Sequence, residues 1–323
     1  STQRLQALTP FLQSLDTSAM MVVSHGQVVY EYGDLVKLSY LASCRKSILA
    51  MLYGNYVASG QIPLTKTLRE MNFDDVGGLL PRELDATVEN LITARSGVYH
   101  PASYPGDASD SAPPRGSQKP GTYYLYNNWD FNAAGAVFEK LTGKDIYDAL
   151  ESDLAKPIGM QDFDRSLQKK EGDAKLSTIP AYPIHLSTRD MARIGQLMLR
   201  EGNWNGRQVI PRDWAKQIVS LVTPVYDMNP PSWKEYAQGS LWGYGYMWWV
   251  WDGQRREGPF AGAYTARGAI GQYITVFPAL DVVVAHKTVP STRGERVRNV
   301  SGMEYQAILM HITAAYCGNR CRQ

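Results

Sequence analysis

Two patterns in the sequence combine residue type and spacing in a way that could do nucleophilic chemistry. The first, Ser-x-x-Lys, occurs as Ser43-Cys44-Arg45-Lys46 and as Ser166-Leu167-Gln168-Lys169. Context separates them. Ser166 sits among Asp164, Lys170 and Glu171 and reads as solvated surface. Ser43 comes just before the apolar run Ile48-Leu49-Ala50-Met51-Leu52. If that run is helical, positions 43 and 46 share a face one turn apart. Burying a lysine in an apolar layer at a helix start favours its neutral amine, which can accept the serine proton. The helix N-terminus also favours an anion at the serine, and a backbone N–H there can serve an oxyanion hole. The plain alternative is an N-cap serine followed by a surface lysine.

The second pattern is Tyr-x-Asn. It occurs as Tyr126-Asn127-Asn128, after a proline-rich stretch and at the start of a predicted helix. Tyr53-Gly54-Asn55 has the same letters but falls inside the Ser43 helix, where it packs. A phenol at position 126 can pass a proton between Ser43, Lys46 and a leaving group. Asn128 can hydrogen-bond both Lys46 and a substrate amide. Other motifs are missing: no G-x-S-x-G, no Walker loop, no H-E-x-x-H and no C-x-x-C. His25, His100, His185, His286 and His311 are scattered without metal-ligand spacing and read as surface or hydrogen-bonded core histidines. Chemistry on Ser43 requires no metal or organic cofactor.

The elements that must position these residues follow from periodicity. Residues 19–23 and 27–32 are β-rich and flank Ser24-His25-Gly26, a hairpin signal. The segment 43–59 reads as a helix closed by Gly60. Shorter helices are predicted over 85–93, 128–142, 145–156, 187–201 and 211–221, with a capped final helix over 301–317 whose box is Ser301 and Glu304. Residues 99–122 form a long proline-rich loop, a kind that is more often functional than idle. Residues 242–251 read as one aromatic strand, with Trp242, Tyr244, Tyr246 and Trp248 on one face and Trp249 and Trp251 on the other. Strands over 271–277 and 281–287 form a hairpin around Pro278-Ala279-Leu280. Strands at both ends with helices between imply an α+β fold, an antiparallel sheet flanked by helices. The sheet domain is expected over 1–60 and 236–323, with a mainly helical insertion over 61–235 and a cleft at the join.

Composition narrows the class. The chain has 323 residues, 44% hydrophobic and 20% charged, with 33 Lys+Arg against 31 Asp+Glu. That excludes disorder and a fibrous chain, and the absence of a basic stripe argues against nucleic-acid binding. No apolar run is long enough for a membrane span. With 20 Tyr and 8 Trp against 7 Phe, most aromatics carry a polar handle, as in clefts. Cys44 reads as a small buried hydrophobe. Cys317 and Cys321 have no second pair to complete a zinc site; a disulfide loop between them would imply an oxidising compartment and favours a periplasmic or secreted location. The chain begins at Ser1, which reads as a mature or trimmed end.

Taken in order, Ser43-x-x-Lys46 and Tyr126-x-Asn128 resemble the serine β-lactamase-related hydrolases, closest to the class C β-lactamase, DD-peptidase and esterase branch. Flanking segments extend the resemblance over nearly the whole chain. Asn90-Leu-Ile-Thr-Ala-Arg-Ser-Gly97 is similar to the family's LLTHTSG segment. Residues 187–199, with Gly206-Arg-Gln-Val-Ile-Pro-Arg-Asp-Trp214 after them, resemble its D-x-A-R-x-G-Q-L helix and sequel. Trp242-Gly-Tyr-Gly-Tyr246 resembles the strand that enters the final sheet. The third family motif, Lys-Thr-Gly or His-Thr/Ser-Gly, departs. Lys287-Thr288-Val289 has the letters without the glycine, and Ala266-Arg267-Gly268-Ala269 fits better by position. The resemblance implies a β-lactamase/transpeptidase-like fold with Ser43 as nucleophile and Lys46 and Tyr126 moving protons. It also implies an oxyanion hole from the N–H groups of Ser43 and Ala269. Asn128, Arg267, Gly268 and Trp242 are the expected substrate contacts, although strand alternation puts Arg267 on the face opposite Ala266. With Ala266 in place of Lys or His, hydrolysis of small esters or amides, esterase-type first, is expected ahead of β-lactamase or D-amino-acid peptidase action. An acyltransferase and a non-catalytic binding homologue are the remaining alternatives.

Overall fold

Strands from both ends of the chain pair into one sheet. The computed structural model describes residues 5–104, 109–229, 242–253, 256–292 and 294–317. Helix α1 (Thr9–Gln13) leads into the hairpin β1 (Ala19–Ser24) and β2 (Gln27–Gly33). The hairpin turns at His25 and Gly26, both at positive φ (52° and 74°), which suits the twist of the paired strands. A short β3 (Ser39–Tyr40) delivers the chain to α2 (Cys44–Ala58). Then come α3 (Val88–Ile92), α4 (Asn128–Thr142), α5 (Ile146–Ala149), β4 (His185–Leu186) and α6 (Thr188–Leu199). The hairpin β5 (Asn203–Trp204) and β6 (Arg207–Gln208) and helix α7 (Arg212–Ile218) follow. The C-terminal part contributes β7 (Trp242–Tyr244), β8 (Trp249–Trp251), β9 (Tyr264–Gly268), β10 (Gln272–Phe277), β11 (Val282–Lys287) and α8 (Gly302–Cys317).

The sheet order is β2-β1-β11-β10-β9-β8-β7, antiparallel throughout. The N-terminal hairpin therefore closes on the last strand, with Val22 opposite Val284. This is the mixed α+β architecture, an antiparallel sheet flanked by helices, that the element order implied. Helix α6 packs so closely on the sheet that a Cβ at Gly195 would overlap the Val283 side chain and touch Ile274. On the alternate residues of β10, Tyr305 of α8 stacks on Tyr273 (centroids 3.8 Å apart) and bonds Thr275 Oγ1 at 2.7 Å. Successive side chains of a strand point to opposite faces, so α6 and α8 cover opposite faces of the sheet. Helix α2 is buried from Cys44 through Gly54, as befits a central helix. Gly54 gives Trp214 of α7 room to approach, and Trp214 Nε1 donates to the Ala50 carbonyl at 2.8 Å.

Three local expectations need correction. Residues 242–251 are two strands, not one: β7 folds back on β8, pairing Trp242 with Trp251 and Tyr244 with Trp249. Cross-strand partners share a face, so these four rings lie together instead of splitting by strict alternation. The reversal uses Met247 at φ 59°, a left-handed residue in a segment with weak turn signals. The helix expected over 85–93 starts only at Val88, after a 3₁₀ turn at Glu83–Asp85. The helix over 145–156 widens into a π turn at Leu150–Ala155. The expected boundary at 235/236 and the partner cysteine Cys321 lie outside the described residues. No helix among the described residues is long and apolar enough to cross a membrane.

Candidate active site

Ser43 is the N-cap residue of α2, and its side chain makes no capping hydrogen bond. It is partly exposed at the head of a buried helix. The preceding Ala42 is held at φ 48°, a strained conformation for a residue with a Cβ and one that proteins retain where geometry matters. One turn on, Lys46 is 1% exposed. Its Nζ donates to Tyr126 Oη at 2.8 Å and to Asn128 Oδ1 at 2.7 Å. The same nitrogen lies 4.0 Å from the Tyr126 ring centroid and 4.2 Å from that of Phe131. The side chains bonded to this buried amine include a phenol and an amide, either of which can exchange a hydrogen bond as charge moves.

Tyr126 reaches Lys46 because the start of α4 is tied down from several directions. Asn127 caps the helix through Trp129 N (3.0 Å) and donates Nδ2 to the Val98 carbonyl at 2.8 Å. Leu125 N donates to Ala94 O at 2.9 Å. Ser96 Oγ donates to the buried Asp130 at 2.5 Å. Burial pushes the Asp130 carboxyl well above the usual carboxylate range, against the two Ser96 hydrogen bonds. The segment 90–97, noticed in the sequence only as a family likeness, thus clamps the turn that carries Tyr126. A second knot centres on Asp75, which accepts from Trp129 Nε1 (2.8 Å), Ser177 Oγ (2.5 Å) and Thr178 N (2.7 Å). Those bonds hold its carboxyl below the usual range despite burial.

The third wall is β9. Gly268 sits against the backbone before Ser43: a Cβ there would overlap the Leu41 carbonyl and lie 3.1 Å from Ala42 Cβ. The absent side chain lets the strand end, and Ala269 after it, come up to Ser43. Among the described residues, neither the Ser43 nor the Ala269 N–H donates to another backbone group. Ser43 and Ala269 both line two adjoining clefts, of about 580 Å³ and 240 Å³. The larger also holds Tyr126, Arg267, Gly268 and Trp249, and the smaller holds Asn128.

The structure therefore brings Ser43, Lys46, Tyr126, Asn128, Gly268 and Ala269 into one neighbourhood. Arg267 is indeed on the face opposite the fully buried Ala266, and that face is the one that looks into the cleft. Its guanidinium lies over Trp242 (4.9 Å) and Trp249 (5.4 Å). Trp242 is fully buried beneath it, and Trp249 is the ring that lines the cleft. Lys287 is on β11 and does not line either cleft; its amine donates to the carbonyls of Leu186 and Lys37 (the latter at 3.2 Å). Ser166 is exposed and bonded to Asp164, and Tyr53 is buried with its hydroxyl on Ala134 O, as the sequence suggested for both. Cys44 is a buried free thiol. Sequence reasoning missed Tyr40, Tyr104 and Glu171 on the smaller cleft and the start of α8 on the larger. Only the α8 start had a local signal, the Ser301–Glu304 capping box, seen here as Ser301 N to Glu304 Oε2 at 2.7 Å.

Comparison with known proteins supplies the family and the fold. The β-lactamase family profile matches residues 6–296. Among solved structures, a candidate 6-aminohexanoate-dimer hydrolase from Bacillus anthracis is similar with a TM-score of 0.70 at 20% identity, over 95% of this chain and 81% of that one. A β-lactamase from Mycobacterium bovis gives 0.65 at 17% identity, over 97% and 99%. EstCE1, a hydrolase with promiscuous acyltransferase activity, gives 0.65 at 15%, over 96% and 97%. Among curated proteins no sequence matches the chain. At these identities the structures share the fold with this chain, and the family profile supplies the assignment: the chain belongs to the β-lactamase family of serine hydrolases.

Proposed function

We propose that the protein hydrolyses small esters or amides through an acyl-enzyme on Ser43, with esters as the better substrates. The observation that carries this is the Lys46 amine held between Tyr126 Oη and Asn128 Oδ1 beside the head of α2. Ser43 Oγ attacks the carbonyl carbon while its proton passes to the Lys46–Tyr126 pair. The oxygen that gains charge lies between the N–H groups of Ser43 and Ala269, at a helix N-terminus that favours an anion. Collapse of the tetrahedral species breaks the bond to the leaving group, which takes the proton back through Tyr126. Water then attacks the acyl carbon, and the same groups return the proton to Ser43. Tyr126 lines the larger cleft and Asn128 the smaller, so the leaving group occupies the larger and the acyl part the smaller.

An amidase or peptidase reading is favoured by Arg267. The family's Lys is replaced by the buried Ala266, but Arg267 supplies a cation on the leaving-group side that suits a carboxylate-bearing amine product. The test uses wild-type and Ser43→Ala proteins against p-nitrophenyl esters, with folding checked by circular dichroism. Ester turnover disappears in the variant, and a fluorophosphonate adds to wild type alone by intact mass. Undiminished turnover in Ser43→Ala would refute the nucleophile.

A further inference from the structure

The two clefts that meet at Ser43 differ in charge. On the leaving-group side stands Arg267, beside the first turn of the 16-residue helix α8. On the acyl side the exposed charge is the carboxylate of Glu171, flanked by Tyr40 and Tyr104. Arg45 also borders that side, but it is 3% exposed. It is turned inward, with its guanidinium donating to Asn132 Oδ1 at 3.0 Å and lying 4.2 Å from the Tyr182 ring centroid. Burial raises the Tyr40 phenol above its usual range, so it presents a neutral ring and hydroxyl near neutral pH.

Glu171 is also held in place. Its N–H donates to Ala181 O at 3.0 Å, and Ala181 N donates back to Glu171 O at 2.8 Å. The next residue, Gly172, stands at φ 153°, where a Cβ would meet Ser103 Oγ at 2.6 Å. Ser103 Oγ in turn donates to Ile179 O at 2.6 Å, and Thr178 is anchored on Asp75. Opposite, the Tyr104 carbonyl accepts from Asn128 Nδ2 at 3.2 Å, which ties this rim to the catalytic helix. The backbone on both sides of the cleft is thus set before substrate arrives, which lowers the entropy cost of binding.

We propose that the smaller cleft is a cation subsite for the acyl part of the substrate, with the Glu171 carboxylate and the rings of Tyr40 and Tyr104 receiving an ammonium group. The preferred substrates are then small aminoacyl esters or amides. A carboxylate near an ammonium at a water-exposed rim, with aromatic rings beside it, gives a modest gain that salt weakens. This rests on Ser43 as the acylated nucleophile, and the experiment separates the two claims. The probes are matched p-nitroanilides, 4-aminobutanoyl against pentanoyl, which differ by an ammonium in place of a methyl group. In wild type the cationic anilide has the higher kcat/KM, by about fivefold. That ratio falls to about one in Glu171→Gln, reverses in Glu171→Lys, and shrinks as salt is raised. A ratio of one in wild type, or a ratio unchanged in Glu171→Gln, overturns the subsite. If neither anilide is turned over, amide hydrolysis fails, and p-nitrophenyl ester turnover decides the acyl-enzyme reading separately. Calorimetric binding of 4-aminobutanamide against pentanamide to Ser43→Ala protein then decides the subsite by the same ratio. Tighter binding of the amine upholds it, and equal binding sinks it.

Discussion

Lys46 and Lys287 are both sealed from water, at 1% and 0% exposure. They differ in what they touch. Lys46 donates to a phenol and a side-chain amide that face the cleft. Lys287 donates to the backbone carbonyls of Leu186 and Lys37, bracing β11 against β4 and the segment that leads into β3. Backbone carbonyls accept hydrogen bonds but cannot relay a proton, whereas a tyrosine beside a lysine can. Burial alone therefore does not single out the lysine proposed to move protons; its partners do. Burial also pushes the Lys287 amine down to about 7, partly offset by Cys44, Asp190, Asp34 and Asp162.

Three substitutions break or sharpen this contrast. The largest effect belongs to Lys46→Ala, for which kcat/KM on p-nitrophenyl esters falls by about 10⁴-fold while the fold persists. A loss below tenfold would put Lys46 in the same class as Lys287. Next is Lys287→Met, read as stability rather than rate. The folded chain holds this amine at about 7 and the unfolded chain near 10.5, so between those values the unfolded state carries a proton that the folded state lacks. Wild-type stability accordingly rises with pH across that window, by up to about 5 kcal/mol if the whole shift is expressed. Lys287→Met flattens the rise, and ester turnover survives the change. Urea midpoints measured at pH 6.5 and 10 on both proteins check this, and equal pH dependence would contradict it. The smallest of the three is Gly268→Ala. Its Cβ pushes β9 away from Leu41 and so withdraws Ala269, lowering kcat by about 10²-fold with little change in KM. Steady-state kinetics on one ester separate that from a binding defect.

Much of the site was legible because its spacing is local. Ser43 and Lys46 are one helical turn apart, so naming the helix places the pair. Tyr126 and Asn128 flank an N-cap, and the Asn127 bond to Trp129 N is the local signal that fixes their turn. The aromatic segment was misread for the opposite reason. Its reversal depends on Met247 adopting a left-handed backbone, and nothing in a methionine announces that. Lys287-Thr288-Val289 had the letters of the third motif, yet strand order puts Lys287 two strands away from β9. Glu171 was taken for part of a solvated stretch, and it is exposed; what the letters omit is the Asp75 knot and the Glu171–Ala181 bridge that bring it beside Ser43.

The sequence by itself singled out the candidate set Ser43, Lys46, Tyr126 and Asn128 and the elements that carry it, because helix turns, caps and hairpins are fixed by neighbours along the chain. It also determined that the sheet draws on both ends, since the strands are found nowhere else in comparable length. Only the tertiary structure decided that Arg267 faces the cleft while Trp242 lies beneath it, that Lys287 is a brace, and that Ser43 lines two clefts, one with Arg267 and the other with Glu171. Those are matters of register and packing between segments far apart in sequence. A change of one residue in pairing turns a side chain from site to core.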